Sequence, residues 1–279
     1  MIHRAILRRL IDAALEEDLN GGDITSALTV PKDQTSTATA TAKSELVVCG
    51  EQVFREVMLA VDASLSVTTL TPDGTLATTG TKIWTVQGNT QSLLAAERTA
   101  LNFVQRMSGI ATESRRYQGA VPKGSTTRVA DTRKTTPLLR ALERYAVRTG
   151  GAYNHRDCLG SAVMIKDNHI KAAGGISAAV RGAKARAPHT SKIEVEVESL
   201  EGLEEALTAG AEIVMLDNFD GNQIEEAVAR CRERAIVEVS GGITLERIAT
   251  LATQGVDVIS VGALTHSVSA ADISFNIQV

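Results

Sequence analysis

The stretch IEVEVES, Ile193–Ser199, decides between two folds for this chain. Successive side chains of a strand point to opposite faces, so Ile193 and the two valines share one face and the three glutamates share the other. In an open sheet covered by helices on both sides, strands are apolar on both faces. A barrel turns one face to its helices and the other to an interior and a mouth, where charged groups of both signs can pair. The alternation therefore favours a β/α barrel over an open doubly wound sheet.

Five further segments of the same kind extend this interpretation over the second half of the chain. In order, all six are TTRVADT, SAVMIKD, KIEVEVE, EIVMLDN, AIVEVSGG and VDVISVG. Helical segments lie between them, near 137–149, 174–186, 199–209, 221–234 and 244–253. Strands that alternate with helices imply a parallel sheet.

The first half of the chain follows a different pattern. An opening amphipathic helix precedes Thr- and Val-rich segments at 35–49 and 61–88, which are typical of antiparallel strands. A long helical segment follows at 90–118, and Ser108 with Gly109 predicts a break or a kink in it. The chain is therefore predicted to be α/β, with two halves of different construction.

The composition excludes several function classes. Lys and Arg number 29 against 33 Asp and Glu, a net charge of −4, which argues against a basic nucleic-acid-binding face. The three cysteines lack the spacing of a zinc site or a disulfide framework, and Cys158 is expected in the core. No segment approaches the roughly 18 apolar residues of a membrane span. We therefore expect a cytoplasmic protein that binds neither nucleic acid nor membrane.

Two short runs concentrate positive charge within this acidic chain: DTRK at 131–134, and NHR to IKDNH at 154–169. The cationic or cation-capable side chains are Arg133, Lys134, His155, Arg156, Lys166 and His169. Arg offers a planar fork that matches a carboxylate or a phosphate, and Lys acts as a point charge. At the ends of strands, these residues predict a pocket for a small polyanion.

Glycine-containing turns follow the last two predicted strands, at Ser240–Gly242 and at Val261–Ser267. Glycine lets main-chain N–H groups approach a phosphate closely, and the N-terminus of the next helix adds a favourable dipole. Phosphate sites recur after the last two strands of β/α barrels, although such glycines also form ordinary tight turns. Two such turns in succession favour phosphate binding.

Single polar residues leave more alternatives open. Glu196 and Asp217 belong to successive strands, where carboxylates suit Mg²⁺ shared with substrate phosphates, a cationic transition state, or ion pairs with Arg and Lys. Lys166 ends an apolar run and is either a Schiff-base nucleophile, a fixed anion contact or a surface lysine. Arg98, within a helix, is expected on composition alone to be a solvated charge.

Longer motifs, in the same order, resemble the quinolinate phosphoribosyltransferases. The resemblance covers nearly the whole chain and includes EEDLNGGDITS, AERTALNFVQRMSGIAT, DTRKTTPLLRALERYAVRTGGAYNHR, IKDNHI, IEVEV, LDNF, VEVSGGIT and VGALTHS. DTRKT together with NHR and IKDNH is highly specific, whereas LDNF or SGG alone is weak. Tyr153 departs from the small residue that is more typical before the asparagine.

The resemblance implies an architecture and a reaction. An N-terminal open-faced α/β sandwich, 1–108 with 266–279 returning to it, is coupled to an incomplete β/α barrel at 109–265. The implied assembly is a homodimer whose site the partner chain completes, with higher assembly left open. The implied reaction joins quinolinate to phosphoribosyl pyrophosphate with Mg²⁺, in de novo NAD biosynthesis, and yields nicotinate mononucleotide, pyrophosphate and CO₂.

The resemblance also implies how the cations divide their work. Arg133, Arg156 and Lys166 match the clamp for the quinolinate carboxylates, with His155 beside it. Arg98 matches an arginine contributed across the dimer interface. This role replaces the interpretation from composition alone, in which Arg98 is a solvated charge. Quinolinate carries two adjacent carboxylates, and these call for several fixed cations.

The remaining implied residues concern phosphoribosyl pyrophosphate. Lys134, Glu196 and Asp217 match the catalytic residues that contact this substrate, and the two carboxylates match the ligands of its Mg²⁺. The implied 5′-phosphate site consists of Ser240, Gly241 and Gly262. The nearest rival is a related phosphoribosyltransferase acting on nicotinate or another small acid. More distant rivals are a Schiff-base lyase using Lys166 and a non-catalytic phosphate-ligand sensor.

Overall fold

The computed structural model describes residues 1–278, and the α/β class predicted from the sequence is confirmed. The helices are α1 Arg4–Leu19, α2 Ile24–Thr29, α3 Glu51–Val61, α4 Thr90–Gly119, α5 Arg140–Thr149, α6 Asp167–Ala173, α7 Ile176–Lys184, α8 Leu200–Ala209, α9 Gly221–Cys231, α10 Leu245–Thr253 and α11 Ala263–His266. The strands are β1 Thr35–Ala42, β2 Leu46–Val47, β3 Ser66–Thr69, β4 Leu76–Ala77, β5 Lys82–Asn89, β6 Arg128–Ala130, β7 Val163–Ile165, β8 Ile193–Val197, β9 Ile213–Leu216, β10 Ile236–Ser240, β11 Val258–Ser260 and β12 Ile273–Gln278.

The described chain forms two compact units. The first contains Met1–Arg115, Thr135–Gly151 and the residues from 263 onward, and the second contains Arg116–Lys134 and Ala152–Gly262. The segment that carries α5 thus belongs to the first unit. The domain limits expected from the sequence, 1–108 with 266–279 and 109–265, stay a prediction.

The first unit is built on an antiparallel sheet in the order β12-β1-β5-β3. In β1 the sequence TSTATATA alternates, and its three alanines are fully buried while the threonines lie between them. This is the period of two expected of a strand with one face against a core. The core is completed by α3, whose Phe54 stacks on Trp84 of β5 with ring centroids 4.6 Å apart. The last strand, β12, pairs with β1 from Thr37–Gln278 to Ala42–Ile273.

The long helix α4 differs from the sequence-based expectation. It runs from Thr90 to Gly119 through Ser108 and Gly109, where the sequence predicts a break or a kink. Gly109 instead allows a close approach, because a Cβ there would lie 2.2 Å from the Ser269 carbonyl oxygen. Ser108 is fully buried and accepts a hydrogen bond from the Cys49 amide at 3.1 Å. Ser108 and Gly109 therefore contribute to the packing of α4 against neighbouring segments, and neither residue ends the helix.

The second unit contains six parallel strands in the order β6-β11-β10-β9-β8-β7. Within the residues that the structure describes, no ladder joins β6 to β7, so the sheet does not close. This agrees with the incomplete barrel implied by the resemblance. At the β6 edge, Tyr153 adds a parallel bridge to Ala130, and the Arg128 guanidinium lies 5.1 Å from its ring centroid. Tyr153, the departure from the family pattern, thus has a packing role.

Three features of the fold escape the sequence patterns. The helix α3 lies where no helix was predicted, and α6 begins at Asp167, with only Lys166 between it and the end of β7. Cys158 is exposed rather than in the core, because it lies in an exposed loop at 157–161. Among residues 1–278, no helix combines the length and the apolar character needed to cross a membrane. The cytoplasmic location stays a prediction.

Candidate functional site

The NHR segment, residues 154–156, has no regular secondary structure and is held by a buried acid. Asp131 follows β6 and is fully buried. Its carboxylate accepts hydrogen bonds from the His155 amide at 2.7 Å and from Asn154 Nδ2 at 2.6 Å. Hydrogen bonds to an ionised acceptor are the stronger kind, so this contact fixes the start of the segment.

The His155 side chain lies between two glutamates from the sheet interior. Its Nε2 is 3.5 Å from Glu194 Oε2 of β8 and 3.4 Å from Glu238 Oε2 of β10. Each glutamate is only 3% exposed, and Ser260 Oγ donates to Glu238 Oε1. Glu194 Oε1 is buried without a hydrogen-bond partner among the described residues. Both glutamates lie on the polar face that the strand alternation predicts.

The two glutamates also influence the charge of the imidazole. Burial opposes a charge on His155, but hydrogen bonds to Glu194 and Glu238 outweigh it and raise its pKa to about 10. Burial raises the pKa of Glu194. On the other side of the ring, the Arg156 amide donates to His155 Nδ1 at 2.7 Å. Both ring nitrogens are therefore engaged within the protein.

Two arginines of the predicted clamp lie near one another. Burial, and next the positive charge of Arg133, lower the pKa of the Arg156 guanidinium. Arg156 Nη1 donates to the Ala162 carbonyl at 3.2 Å. Like charges that approach each other in a partly buried setting are relieved by an anion, so this pair is suited to a carboxylate or a phosphate.

Lys166 and Glu196 are ion-paired. Lys166 Nζ donates to Glu196 Oε2 in a short contact, with the lysine at the end of β7 and the glutamate on the neighbouring strand β8. The Lys166 amide donates to His169 Nδ1 at 2.9 Å. His169, for which the sequence gave no role, thus fixes the main chain where α6 begins.

The glycine turn after β10 lies against Asp217. Gly241 has φ of +89°, and a Cβ there would lie 3.2 Å from Asp217 Oδ1. A larger residue would therefore be strained and would crowd the carboxylate. Ser240 on β10 aligns with Ser260 on β11, so this turn and the turn that begins at Gly262 follow adjacent strands.

The second unit therefore carries all but one of the predicted site residues. They are Arg133, Lys134, His155, Arg156, Lys166, Glu196, Asp217, Ser240, Gly241 and Gly262. The structure pairs Lys166 with Glu196 and sets Gly241 against Asp217, and the charge of Arg133 acts on Arg156. Lys134 is exposed, and its amide donates to Thr132 Oγ1 at 3.1 Å. Arg98 belongs to the first unit and is exposed on α4.

Sequence reasoning missed three acids that surround the NHR segment: Asp131, Glu194 and Glu238. The alternation in IEVEVES did place Glu194 on a polar face. It could not indicate which distant side chain each acid meets, because the meeting depends on an irregular segment.

Comparison with known proteins decides the family. The model of the quinolinate phosphoribosyl transferase N-terminal domain matches residues 23–108, and that of the C-terminal domain matches residues 110–276. The chain belongs to the quinolinate phosphoribosyl transferase family. The resemblance noted in the sequence motifs is thereby confirmed.

Relatives of this family match over almost their full length. A nicotinate-nucleotide pyrophosphorylase (carboxylating) of Mycobacterium leprae is 43% identical over 277 residues, covering 97% of this chain and 96% of the relative. A probable nicotinate-nucleotide pyrophosphorylase (carboxylating) of Bacillus subtilis is 40% identical over 271 residues, covering 97% and 93%. The solved nicotinate-nucleotide pyrophosphorylase of Francisella tularensis has a TM-score of 0.95 and 41% identity, and the match covers 100% of this chain and 98% of that one.

Proposed function

We propose that this member of the quinolinate phosphoribosyl transferase family transfers phosphoribosyl from phosphoribosyl pyrophosphate to quinolinate with decarboxylation. The products are nicotinate mononucleotide, pyrophosphate and CO₂, a step of de novo NAD biosynthesis. The observation that carries the proposal is that Arg133 lies close enough to Arg156 for its charge to lower the pKa of that guanidinium, an arrangement suited to an anionic ligand. The names of the full-length relatives, which include quinolinate phosphoribosyltransferases (decarboxylating), support it.

In this proposal the quinolinate carboxylates bind Arg133, Arg156 and Lys166, with His155 beside them. Each arginine matches a carboxylate bidentately, and two adjacent carboxylates on one ring need more than one cation. Lys166 is ion-paired with Glu196, which supports an electrostatic role rather than a Schiff base. No Schiff base is needed, because the ring nitrogen becomes cationic on glycosylation and stabilises the electron pair left on C2 as CO₂ departs, and C2 then takes up a proton from solvent.

The second substrate is proposed to bind Lys134, Glu196 and Asp217, with its 5′-phosphate on Ser240, Gly241 and Gly262. As the bond from the sugar C1 to pyrophosphate breaks and the pyridine nitrogen bonds to C1, the sugar is oxocarbenium-like in the transition state, and nearby carboxylates stabilise that charge. The proposed role of Lys134 is to offset the charge of the departing pyrophosphate. The positive φ of Gly241, which leaves its main chain uncovered beside Asp217, supports close approach of a phosphate.

Mg²⁺ is the proposed cofactor, and the donor set fits it. Glu196 and Asp217 offer only oxygen ligands, and proteins often bind Mg²⁺ through one or two carboxylates together with substrate phosphates. When bound, the ion would neutralise charge on the pyrophosphate group. We further propose a homodimer in which Arg98 completes the partner's site, since Arg98 is exposed on α4.

The experiment that tests the function compares two pyridine acids. Purified protein is incubated with Mg²⁺, phosphoribosyl pyrophosphate and quinolinate labelled in its 2-carboxylate, and released CO₂ is measured beside nicotinate mononucleotide formation. Turnover of quinolinate with one CO₂ per nucleotide is expected. Equal or better use of nicotinate would assign the chain to the rival activity, and borohydride trapping of Lys166 on a carbonyl substrate would favour the lyase.

A further inference from the structure

Three buried carboxylates from three separate strands converge on the NHR segment. Asp131, after β6, binds the amide of His155 and the side chain of Asn154, while Glu194 of β8 and Glu238 of β10 meet the His155 ring. All three acids are at most 3% exposed. Buried carboxylates are costly unless a partner compensates them, so this arrangement calls for a function that retains it.

A metal ion is one candidate explanation. Ligand atoms of His155, Glu194 and Glu238 lie within 4.8 Å of one another. However, His155 Nδ1 accepts a hydrogen bond from the Arg156 amide at 2.7 Å, so Nδ1 must carry a lone pair. A neutral ring then carries its proton on Nε2, the atom that faces the glutamates and that a metal would need.

The same contact sets the charge of the ring. The two glutamates favour an imidazolium, whose Nδ1 proton would point at the Arg156 amide hydrogen across 2.7 Å. Two hydrogens cannot share that gap, so this contact opposes the second proton that the raised pKa of His155 would otherwise keep on the ring at neutral pH. The ring is therefore neutral in this geometry, and its Nε2–H donates toward Glu194 and Glu238 while Nδ1 holds the Arg156 main chain.

Arg156 is held on two sides. On the side of the exposed loop at 157–161, its guanidinium donates to the Ala162 carbonyl at 3.2 Å. The other side of Arg156 is tied to the sheet interior, since Ser260 donates to Glu238, Glu238 accepts from the His155 ring, and the ring accepts from the Arg156 amide. This series of contacts places the main chain of a proposed substrate-binding arginine from inside the sheet.

We propose that Asp131, Glu194 and Glu238 are positioning residues for quinolinate, which act through His155 to fix Arg156 in its place in the carboxylate clamp. The proposal rests on the proposed function. It makes His155 an internal support whose nitrogens are used within the protein. A precisely held guanidinium loses less freedom when it binds a carboxylate, so the buried acids should affect quinolinate far more than phosphoribosyl pyrophosphate.

The test compares two double variants. Glu194→Met with Glu238→Met removes both acceptors of the Nε2–H at similar volume, whereas Glu194→Gln with Glu238→Gln keeps a carbonyl oxygen at each position. Replacing buried charges by apolar residues of similar volume often leaves stability unchanged or raised. Isothermal titration then measures Kd for quinolinate, and separately for phosphoribosyl pyrophosphate with Mg²⁺. Ile224→Val, in the buried face of α9, is the control for simple loss of packing.

We expect the double Met variant to weaken quinolinate binding by about 10-fold or more, because a buried N–H loses its acceptors. The double Gln variant should remain within about threefold of the wild type, and the other substrate within about twofold for both. Equal weakening of both substrates, or an unchanged quinolinate Kd in the double Met variant, would overturn the proposal. Ile224→Val should leave the Kd of both substrates unchanged. A selective loss of quinolinate affinity in this control would also count against the proposal.

A spectroscopic measurement tests the ring directly. The ¹⁵N shifts of labelled histidine, with His155 assigned by comparison with His155→Gln, should report a neutral ring protonated on Nε2 at neutral pH. A doubly protonated His155 would contradict the series of contacts. Failure of the proposed function has a different signature: the wild type itself would neither bind quinolinate nor release CO₂ from it.

Discussion

At the scale of single residues, Leu138 is unusual in two respects. It adopts φ of +68°, a left-handed conformation that favours glycine, and it is 79% exposed. The left-handed region costs a branched residue about 1–2 kcal/mol, and exposure means that the side chain recovers little of this by packing. The position therefore carries backbone strain.

We predict that Leu138→Gly stabilises the protein. Relief of strain exceeds the roughly 0.5–1 kcal/mol entropic cost of glycine, so the free energy of unfolding should rise by up to about 1 kcal/mol. Thermal unfolding measures the change. The control is Leu139→Gly, because Leu139 has φ of −85° and no strain to relieve. A fall in Tm for Leu138→Gly as large as that for Leu139→Gly would refute the strain argument.

Arg156 supports a prediction about substrate binding. In Arg156→Lys the charge is kept but the planar fork is lost, so the KM for quinolinate should rise by about 10-fold or more. The KM for phosphoribosyl pyrophosphate should change little. Steady-state kinetics with each substrate varied in turn separates the two. An unchanged quinolinate KM would remove Arg156 from the proposed clamp.

At the scale of elements, Asp73 joins two helices of the first unit. Its carboxylate accepts from the Gly50 and Glu51 amides at the start of α3, and from Tyr145 Oη of α5 at 2.8 Å. It therefore acts as a cap supplied from a distant turn, and it also fixes α5. Burial, followed by the charge of Asp73, raises the pKa of the Tyr145 hydroxyl.

We predict that Asp73→Ala lowers the free energy of unfolding by about 2–4 kcal/mol, since a cap and a charged hydrogen bond are lost together. Tyr145→Phe, which removes only the second contact, should cost about 1–2 kcal/mol. Urea unfolding of both variants and of the double variant measures the coupling. Strictly additive effects would mean that the hydroxyl and the carboxylate do not act together.

The close approach at Gly109 gives a further element-scale prediction. Alanine normally favours a helix over glycine by about 1 kcal/mol, but a Cβ at 109 would clash with the Ser269 carbonyl. Gly109→Ala should therefore lower Tm. Gly119→Ala is a matched control on the same helix, because nothing lies within 4 Å of its Cβ position, and it should leave Tm unchanged or raised. Equal effects would argue against the clash.

These elements show how far a sequence can be interpreted. The alternation in β8 correctly predicted a polar interior. The glycine turn at 240–242 was recognised because glycine directly after a strand is typical of a tight turn. The meaning of Gly109 was missed, since its partner at 269 is distant in sequence. Glu194 and Glu238 were missed as site residues for the same reason. The alternation of residues along a strand predicts which face of the sheet a side chain lies on. Only the tertiary structure determines which other residues it contacts on that face.

At the scale of the whole molecule, the proposed shared site can be tested by mixing subunits. Arg98→Ala should abolish most activity without unfolding the chain, and so should Lys134→Ala. In a mixed dimer, one of the two sites is wild type at both positions. Random exchange should therefore restore about a quarter of wild-type activity, because half of the dimers are mixed and each has one intact site. Subunit exchange confirmed by native mass spectrometry, with no recovery of activity, would rule out a shared site.

The pairing of β12 with β1 has a consequence for biosynthesis. β1 ends at Ala42 and β12 begins at Ile273, so on the ribosome β1 lacks this neighbour while the residues between them are being made. An unpaired strand edge is a template for unwanted association. The nascent polypeptide must therefore carry an open sheet edge until β12 has emerged. Its first sheet is completed only at that stage, whereas the second unit, which ends at residue 262, has all its strands slightly sooner.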